Sequence, residues 1–338
     1  MAIGEHADYK KINNDTGNGL YVVPNRSRTL LRRFYASSIL TRICNREYEG
    51  ELKKQGDSVT VPQCAIVPVN THTKGYKFTY PTLEAPDART LTVDQAANFE
   101  FSVDGIDKVQ AYLKGFETSW VNDGNKNMKK VVDTQVINAA PASVSAYNKG
   151  LTAGKTSGCI NLGTIAEPLH LTEKETYTDS DTGIVWWNAA DKMADFSVVL
   201  SEQDIEDEEF EFFALMPPLI RGKIAQSKIS DASVTGDAGK GVLRGGPAYV
   251  GEVQGFQTYK TNLLTKITTG GEGGNVGVFP IIFGIAQAWS FAAQIESMWS
   301  GQLIERDAIG YRGVYVWGSA VMIPEGLGVA YVTVENKK

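Results

Sequence analysis

The chain has 338 residues, 42% hydrophobic and 21% charged, with a formal net charge of -6 at pH 7. This is the profile of a globular protein with material for about two domains, and the acidic balance sets aside nucleic-acid binding as the main task. A membrane-spanning helix is excluded as well, because the longest apolar stretch, 276–293, is interrupted by Pro280, Gly284, Gln287 and Ser290.

The start, MAIGEHADYKK, has no apolar signal region, so export by a cleaved signal is not expected. Residues 1–24 are polar, contain the turn-rich run NNDTGNG and read as an extended arm. From Ser27, Leu30, Leu31, Phe34, Ile39 and Ile43 recur at helical spacing. Arg28, Arg32, Arg33, Arg42 and Arg46 lie between them as a solvated or inter-subunit face. Val59 and Val61 then alternate after Gly56-Asp57 and begin a strand. The chain returns as RTLTVDQAANFEFSVDG, where Leu91, Val93, Ala97, Phe99, Phe101 and Val103 share one face, interrupted by Gln95. Extended at about 3.3 Å per residue, 91–103 spans roughly 43 Å, well beyond the usual strand. A compact domain has difficulty covering so long a one-sided apolar stripe, which predicts that it lies across another copy of the chain. Val59, Val61, Leu91, Val93, Phe99 and Phe101 are therefore candidate inter-subunit contacts.

A short helix follows over 107–113, and then a long one. Phe116, Trp120, Gly124, Met128, Val131, Val132 and Gln135 mark one face of it, and Pro141 marks its end. A helix over 116–140 measures about 37 Å. Gly124 costs such a helix roughly 1 kcal/mol against alanine, so it predicts either a close backbone crossing or a break. Further on, Ala189, Met193, Phe196 and Leu200 are spaced for an amphipathic helix. FEFFALM reads as a buried strand, PPLIRGKIAQS as a proline-led helix, and AYVGEVQGFQTYKTN, FPIIFG, GVYVWGSAVMIP and LGVAYVTVE as strands.

Chemistry is harder to find. SVTGDAGKGVLRGG, 233–246, contains a Gly-Lys pair, but a phosphate loop needs a glycine where Val234 stands and a hydroxyl where Gly241 stands. It reads as a surface connection. Cys44, Cys64 and Cys159 form no CxxC pair and predict free thiols rather than a zinc site or disulfides. His6, His72 and His170 have no partner at metal spacing and read as surface residues. Asp179-Ser180-Asp181 begins like a calcium loop but continues with Gly183, Ile184 and Ala190, so its ligand set is incomplete. The acidic run EQDIEDEEFE, 202–211, reads as a solvated face. No catalytic residue, cofactor-binding residue or metal ligand emerges, and no enzyme is expected.

The order of elements, an arm, an arginine-rich helix, GDSVTVPQ, a long hairpin returning as FEFSVDGIDK and a long helix, resembles the major capsid (coat) protein of tailed bacteriophages. The second half strengthens the likeness. FSVVLSEQDIEDEEFEFFALMPPLIRGKIAQSKISDASVTGD, then VLRGGPAYVGEVQGFQTYKTNLL, is similar to the A-domain segment of phage coat proteins, with Gly251, Val253, Gly255, Phe256, Tyr259 and Asn262 in its strand pair. GYRGVYVWGSAVMIPEGLGVAYV resembles their closing strand pair. The segments 64–88 and FPIIFGIAQAWSFAAQIESMWSG depart from the family pattern.

The resemblance implies an α+β, HK97-like capsid fold with an N-terminal arm (1–29), a helix and P-domain entry (30–55), and a long E-loop hairpin (56–104). A P domain with a spine helix (105–141), an A domain (142–310) and closing strands (311–338) complete it. It implies a structural shell subunit that self-assembles as hexamers and pentamers around phage genomic DNA, without enzymatic activity or cofactor. Scaffolding, portal and decoration proteins are its expected partners, with weak non-specific contact to packaged double-stranded DNA and none to membrane. Its place would be the virion capsid, and the host cytoplasm during assembly. Under this reading 233–246 lies near a capsomer axis, where Lys240 and Arg244 face solvent or acidic groups of the next copy. An encapsulin-like nanocompartment shell shares the fold and is the alternative. A β-rich carbohydrate-binding protein using Trp186 and Trp187 as a stacking platform is a more distant one.

Overall fold

A computed structural model describes residues 38–50, 57–62, 67, 69, 71–75, 77, 80, 88–110, 115–206, 209–227, 249–269, 276–304 and 306–334. The arm and the connection at 233–246 lie outside them. Three sheets organise the described chain. A two-stranded ladder joins β1 (Ser58–Pro62) antiparallel to β2 (Ala88–Thr92), in register from Ser58↔Thr92 to Pro62↔Ala88. The hairpin expected from the sequence therefore closes at 62 and 88.

Its return run does not continue as one strand. After Thr92 the pairing stops, and β3 (Gln95–Asp104) leaves for a different sheet. The alternation persists through both pieces: Leu91, Val93 and Val103 are buried, Ala97, Phe99 and Phe101 half-buried, and the even positions exposed. Period two reports which side of a strand is covered, not what covers it. Here the covering differs on either side of Gln95.

Among the described residues the α-helices sort into two short, one long and two intermediate elements. α1 (Leu40–Ile43) buries Leu40 and Ile43. α2 (Gly105–Gln110) is a six-residue turn of helix, and α3 (Phe116–Ala139) is the expected long helix, unbroken at Gly124. Its buried face is Met128, Val132, Asp133, Val136 and Ile137, whereas Val131, Gln135 and Trp120 are exposed. The sequence-derived stripe is thus turned by one position over the second half of the helix. The valine and isoleucine that pack are those facing α1 and the large sheet.

The large sheet has nine strands, centred on β4 (Leu169–Thr172), β7 (Phe212–Met216), β11 (Val276–Ile285) and β14 (Leu327–Val334). β11 runs antiparallel to both β14 and β7, and β14 is parallel to β4. Beyond β4 lie β6 (Val185–Asn188) and β5 (Tyr177–Thr178); beyond β7 lie β9 (Phe256–Lys260) and β8 (Tyr249–Val253). The short β10 (Ile267–Thr269) pairs with the outer part of β11. β7 is buried at every position, as expected of an apolar run covered on both faces. α4 (Asp191–Ser201) lays Met193, Phe196, Val199 and Leu200 on this sheet, where Phe196 stacks on Phe283 with ring centroids 4.5 Å apart. α5 (Pro218–Gln226) opens with proline in its first turn, as read from the sequence.

The third sheet pairs β12 (Trp289–Gln302) with β13 (Ala308–Val321), and β13 with β3 from Ala308↔Asp104 to Trp317↔Gln95. The expected closing strand pair is therefore not a pair. β13 belongs with β12 and β3, while β14 crosses to the large sheet. Trp289, fully buried at the start of β12, shares the main core with Phe283 and links the two sheets.

Candidate subunit-contact site

The hairpin base is held by its own chain. Leu91 (0% exposed) and Val93 (3%) form a second apolar cluster with Ala292, Val316 and Met322, and the half-buried Val59 and Val61 pack against it. The approach is close enough that a Cβ on Gly318 would run into the Thr92 carbonyl oxygen. The Val93 N–H also donates to the Asp57 carbonyl at 3.1 Å, which ties the two legs together below the ladder.

Phe99 and Phe101 sit on the opposite face of the three-stranded sheet, under α3. Gly124 of the helix faces the Phe99 ring, where an added Cβ would stand 3.0 Å from it, and Gly313 lies opposite Phe99 in register. This is the close crossing that Gly124 foretold. Phe101 stacks on Tyr311 at 5.0 Å and meets Trp120 edge-on at 5.7 Å. These two phenylalanines are therefore directed at the chain's own helix, because β3 changes sheets at Gln95.

What the hairpin leaves uncovered is its far end. Val67, Val69 and Tyr80 stand 65%, 95% and 91% exposed between the two legs. A second uncovered apolar group occupies the tip of the β12–β13 hairpin: Met298, Trp299 and Ile304. The Arg312 guanidinium lies over the Trp299 ring at 5.0 Å. Neither group was singled out from sequence. Val67, Val69 and Tyr80 are scattered among Pro and Thr, and Met298, Trp299 and Ile304 are broken by Ser300, Gly301 and Gln302 without a helical or strand period. Lys240 and Arg244 lie outside the described residues.

The remaining sequence candidates resolve into structural roles. Asp179 Oδ1 accepts the Asp181 N–H and Oδ2 the Thr182 hydroxyl, forming the turn between β5 and β6, and these bonds hold its carboxyl below the usual range. Glu202, at the head of the acidic run, accepts the N–H groups of Thr156 and Ser157 at 2.9 and 3.1 Å, which lowers its pKa too. That one residue is a loop anchor rather than part of a solvated face. His170 lies in β4, half-buried and edge-on to Trp186 at 4.9 Å, not on the surface, and burial lowers its pKa. The Lys192 ammonium sits 4.0 Å from the centre of the Trp187 ring, so the chain's own groups pack against both indoles of the supposed stacking platform. Cys44 is buried and Cys159 exposed. Among the described residues no group of three or more His, Cys, Asp or Glu is placed to hold a metal, and no helix is long and apolar enough to cross a membrane.

No family model and no curated protein matches the chain. Solved structures do. A chain of Mycobacterium phage Che8 superposes with a TM-score of 0.65 at 18% identity, covering 91% of this chain and 96% of its own. The capsid structure of the cyanophage P-SCSP1u gives 0.63 at 13% identity, with 99% and 100% covered. The mature capsid of bacteriophage PhiM1 gives 0.59 at 12% identity, with 94% and 93% covered. At such identities the likeness is one of fold, and it extends over nearly the whole of each chain. The chain has the HK97-like capsid fold overall.

Proposed function

We propose that the chain is a major capsid protein, a structural subunit that assembles as hexamers and pentamers into an icosahedral shell around phage genomic DNA. The observation that carries this reading is the match in fold along whole chains to phage capsid structures, 99% of this chain against 100% of the cyanophage capsid chain. Under it, 1–29 forms the N-terminal arm, 30–55 the entry to the P domain and 56–104 the E-loop. The spine helix and P domain occupy 105–141, the A domain 142–310 and the closing strands 311–338. The exposed Val67, Val69 and Tyr80 support a tip that is covered in the assembly, since apolar surface left in water by the lone subunit gains free energy when a neighbour buries it. Scaffolding, portal and decoration proteins are the partners of such a subunit. The packaged DNA is met through weak non-specific contact, in the virion and, during assembly, in the host cytoplasm.

Sedimentation velocity on the purified protein tests the reading. A shell subunit populates uniform particles far larger than the 36.8 kDa chain, and particles assembled in the host beside its partners hold nuclease-resistant double-stranded DNA. Uniform shells that hold no DNA under any condition of assembly support the nanocompartment alternative. A chain that stays a monomer rejects both.

A further inference from the structure

We propose that a basic cleft at one end of the large sheet receives the acidic run that lies at the opposite end of the same sheet in a second copy of this chain. The proposal rests on the shell reading above and specifies one contact within it.

β7 and β9 run parallel, from Phe212↔Phe256 to Met216↔Lys260. Where both end, the chain turns away at Pro217 and Thr261 and leaves a cleft of about 440 Å³ against α3, with Phe279 in its lining. Lys130 of α3 and Lys266 line it, with Thr134 and Asn262, and among the described residues no carboxylate does. The loop that carries Lys266 is fixed from the helix: Asn138 Oδ1 accepts the Thr265 N–H at 3.1 Å, and its Nδ2 donates to the Leu263 carbonyl at 3.3 Å. The Lys266 stem crosses Gly277, where any Cβ would overlap it. Both lysines are exposed, and neither has an ion-pair partner among the described residues.

The other end of β7 carries the opposite charge. Glu206, Glu209 and Glu211 are exposed directly before Phe212, with no ion pair among the described residues; Glu211 accepts only from the Gln257 amide at 3.2 Å. Five strand residues separate the two ends by roughly 17 Å, too far for one subunit to pair them. Opposite charge at the two ends of one rigid element is the arrangement a head-to-tail contact uses, and such contacts form rings where the rotation between copies closes. Such charges set register and encounter more than affinity. The net charge of -6 favours a protein occupant over nucleic-acid phosphate.

Charge reversal tests the contact. Lys130→Glu with Lys266→Glu, or Glu206→Lys with Glu209→Lys and Glu211→Lys, lowers the assembled fraction about tenfold at low salt, as loss of two exposed pairs predicts. Combining both sets in one chain restores assembly. Carbodiimide cross-linking of a mixture of isotope-labelled and unlabelled wild type joins Lys130 or Lys266 of one copy to one of the three glutamates of another. This second measurement holds even if a reversal variant fails to fold. Wild-type shells with reversal variants that assemble normally, or with no such cross-link, overturn the contact and leave the shell reading intact. A wild type that never associates overturns both. Reversal variants that assemble normally but lose bound DNA assign the cleft to phosphate, which also overturns the contact.

Discussion

Asp133 shows how one residue can be invisible in a sequence and decisive in a fold. It lies on the buried face of the long helix, 4% exposed, and receives hydrogen bonds from the Ser38 hydroxyl and the Ile39 N–H. Burial outweighs those bonds and the nearby Lys129, and pushes its carboxyl up from 3.8 to about 6. The folded pKa lies above the unfolded one, so the folded state favours the protonated form. The associated stability is complete below the unfolded value and is lost as pH rises through about 6. Roughly two pKa units correspond to about 3 kcal/mol. Urea unfolding of the wild type and Asp133→Asn at pH 4 and pH 8 checks this. The stability of the wild type relative to the variant falls by about 2 kcal/mol over that interval, since pH 4 already lies just above the unfolded value; a difference that stays constant contradicts it. The sequence offered no sign of Asp133, because a polar residue between Val132 and Thr134 looks solvent-facing until the segment at 38–44 is packed over it. Cys44, raised by the same burial, was legible only as a free thiol.

At the scale of elements, local signals were reliable wherever a single partner satisfied them. The long helix, the proline-led helix and the buried strand FFALM formed where the sequence placed them, although the long helix buries a face turned by one position over its second half. Gly124 was legible as a crossing or a break, and the Phe99 ring against it makes it a crossing. The failures in strand pairing have one cause. In 91–103 and in 311–334 the chain changes sheets in mid-run, at Gln95 and after Val321, and strand periodicity is blind to the identity of the neighbouring strand. The hairpin base depends on such a hidden contact, the passage of Thr92 over Gly318. Gly318→Ala puts a methyl group into the Thr92 carbonyl, so the base must shift and the cluster of Leu91, Val93 and Val316 must loosen. A loss of about 1–3 kcal/mol in unfolding free energy follows, together with a fall in assembly at temperatures where the subunit remains folded. An alanine variant with unchanged stability and assembly refutes the anchoring role.

For the molecule as a whole, the order of elements carried more information than any motif. No single run of residues was diagnostic, and the glycine-rich run at 233–246 misleads if read alone. Among the described residues, the two-stranded ladder, the long helix and the mixed sheet belong to a fold shared along 91–99% of this chain with phage structures at 12–18% identity. That succession is legible because each element has a local signature. The apolar surfaces the subunit leaves uncovered are not, because Val67, Val69 and Tyr80, or Met298, Trp299 and Ile304, look in sequence like any other core residues. Only the folded chain shows how far the described residues leave them exposed. The account therefore stands or falls on what covers them. Electron cryomicroscopy of the assembled protein is the most direct measurement. The account predicts icosahedral shells built of hexamers and pentamers, with the segment between β1 and β2 lying over a neighbouring subunit. Single particles of one chain under every assembly condition, or shells in which that segment folds back on its own subunit, contradict it.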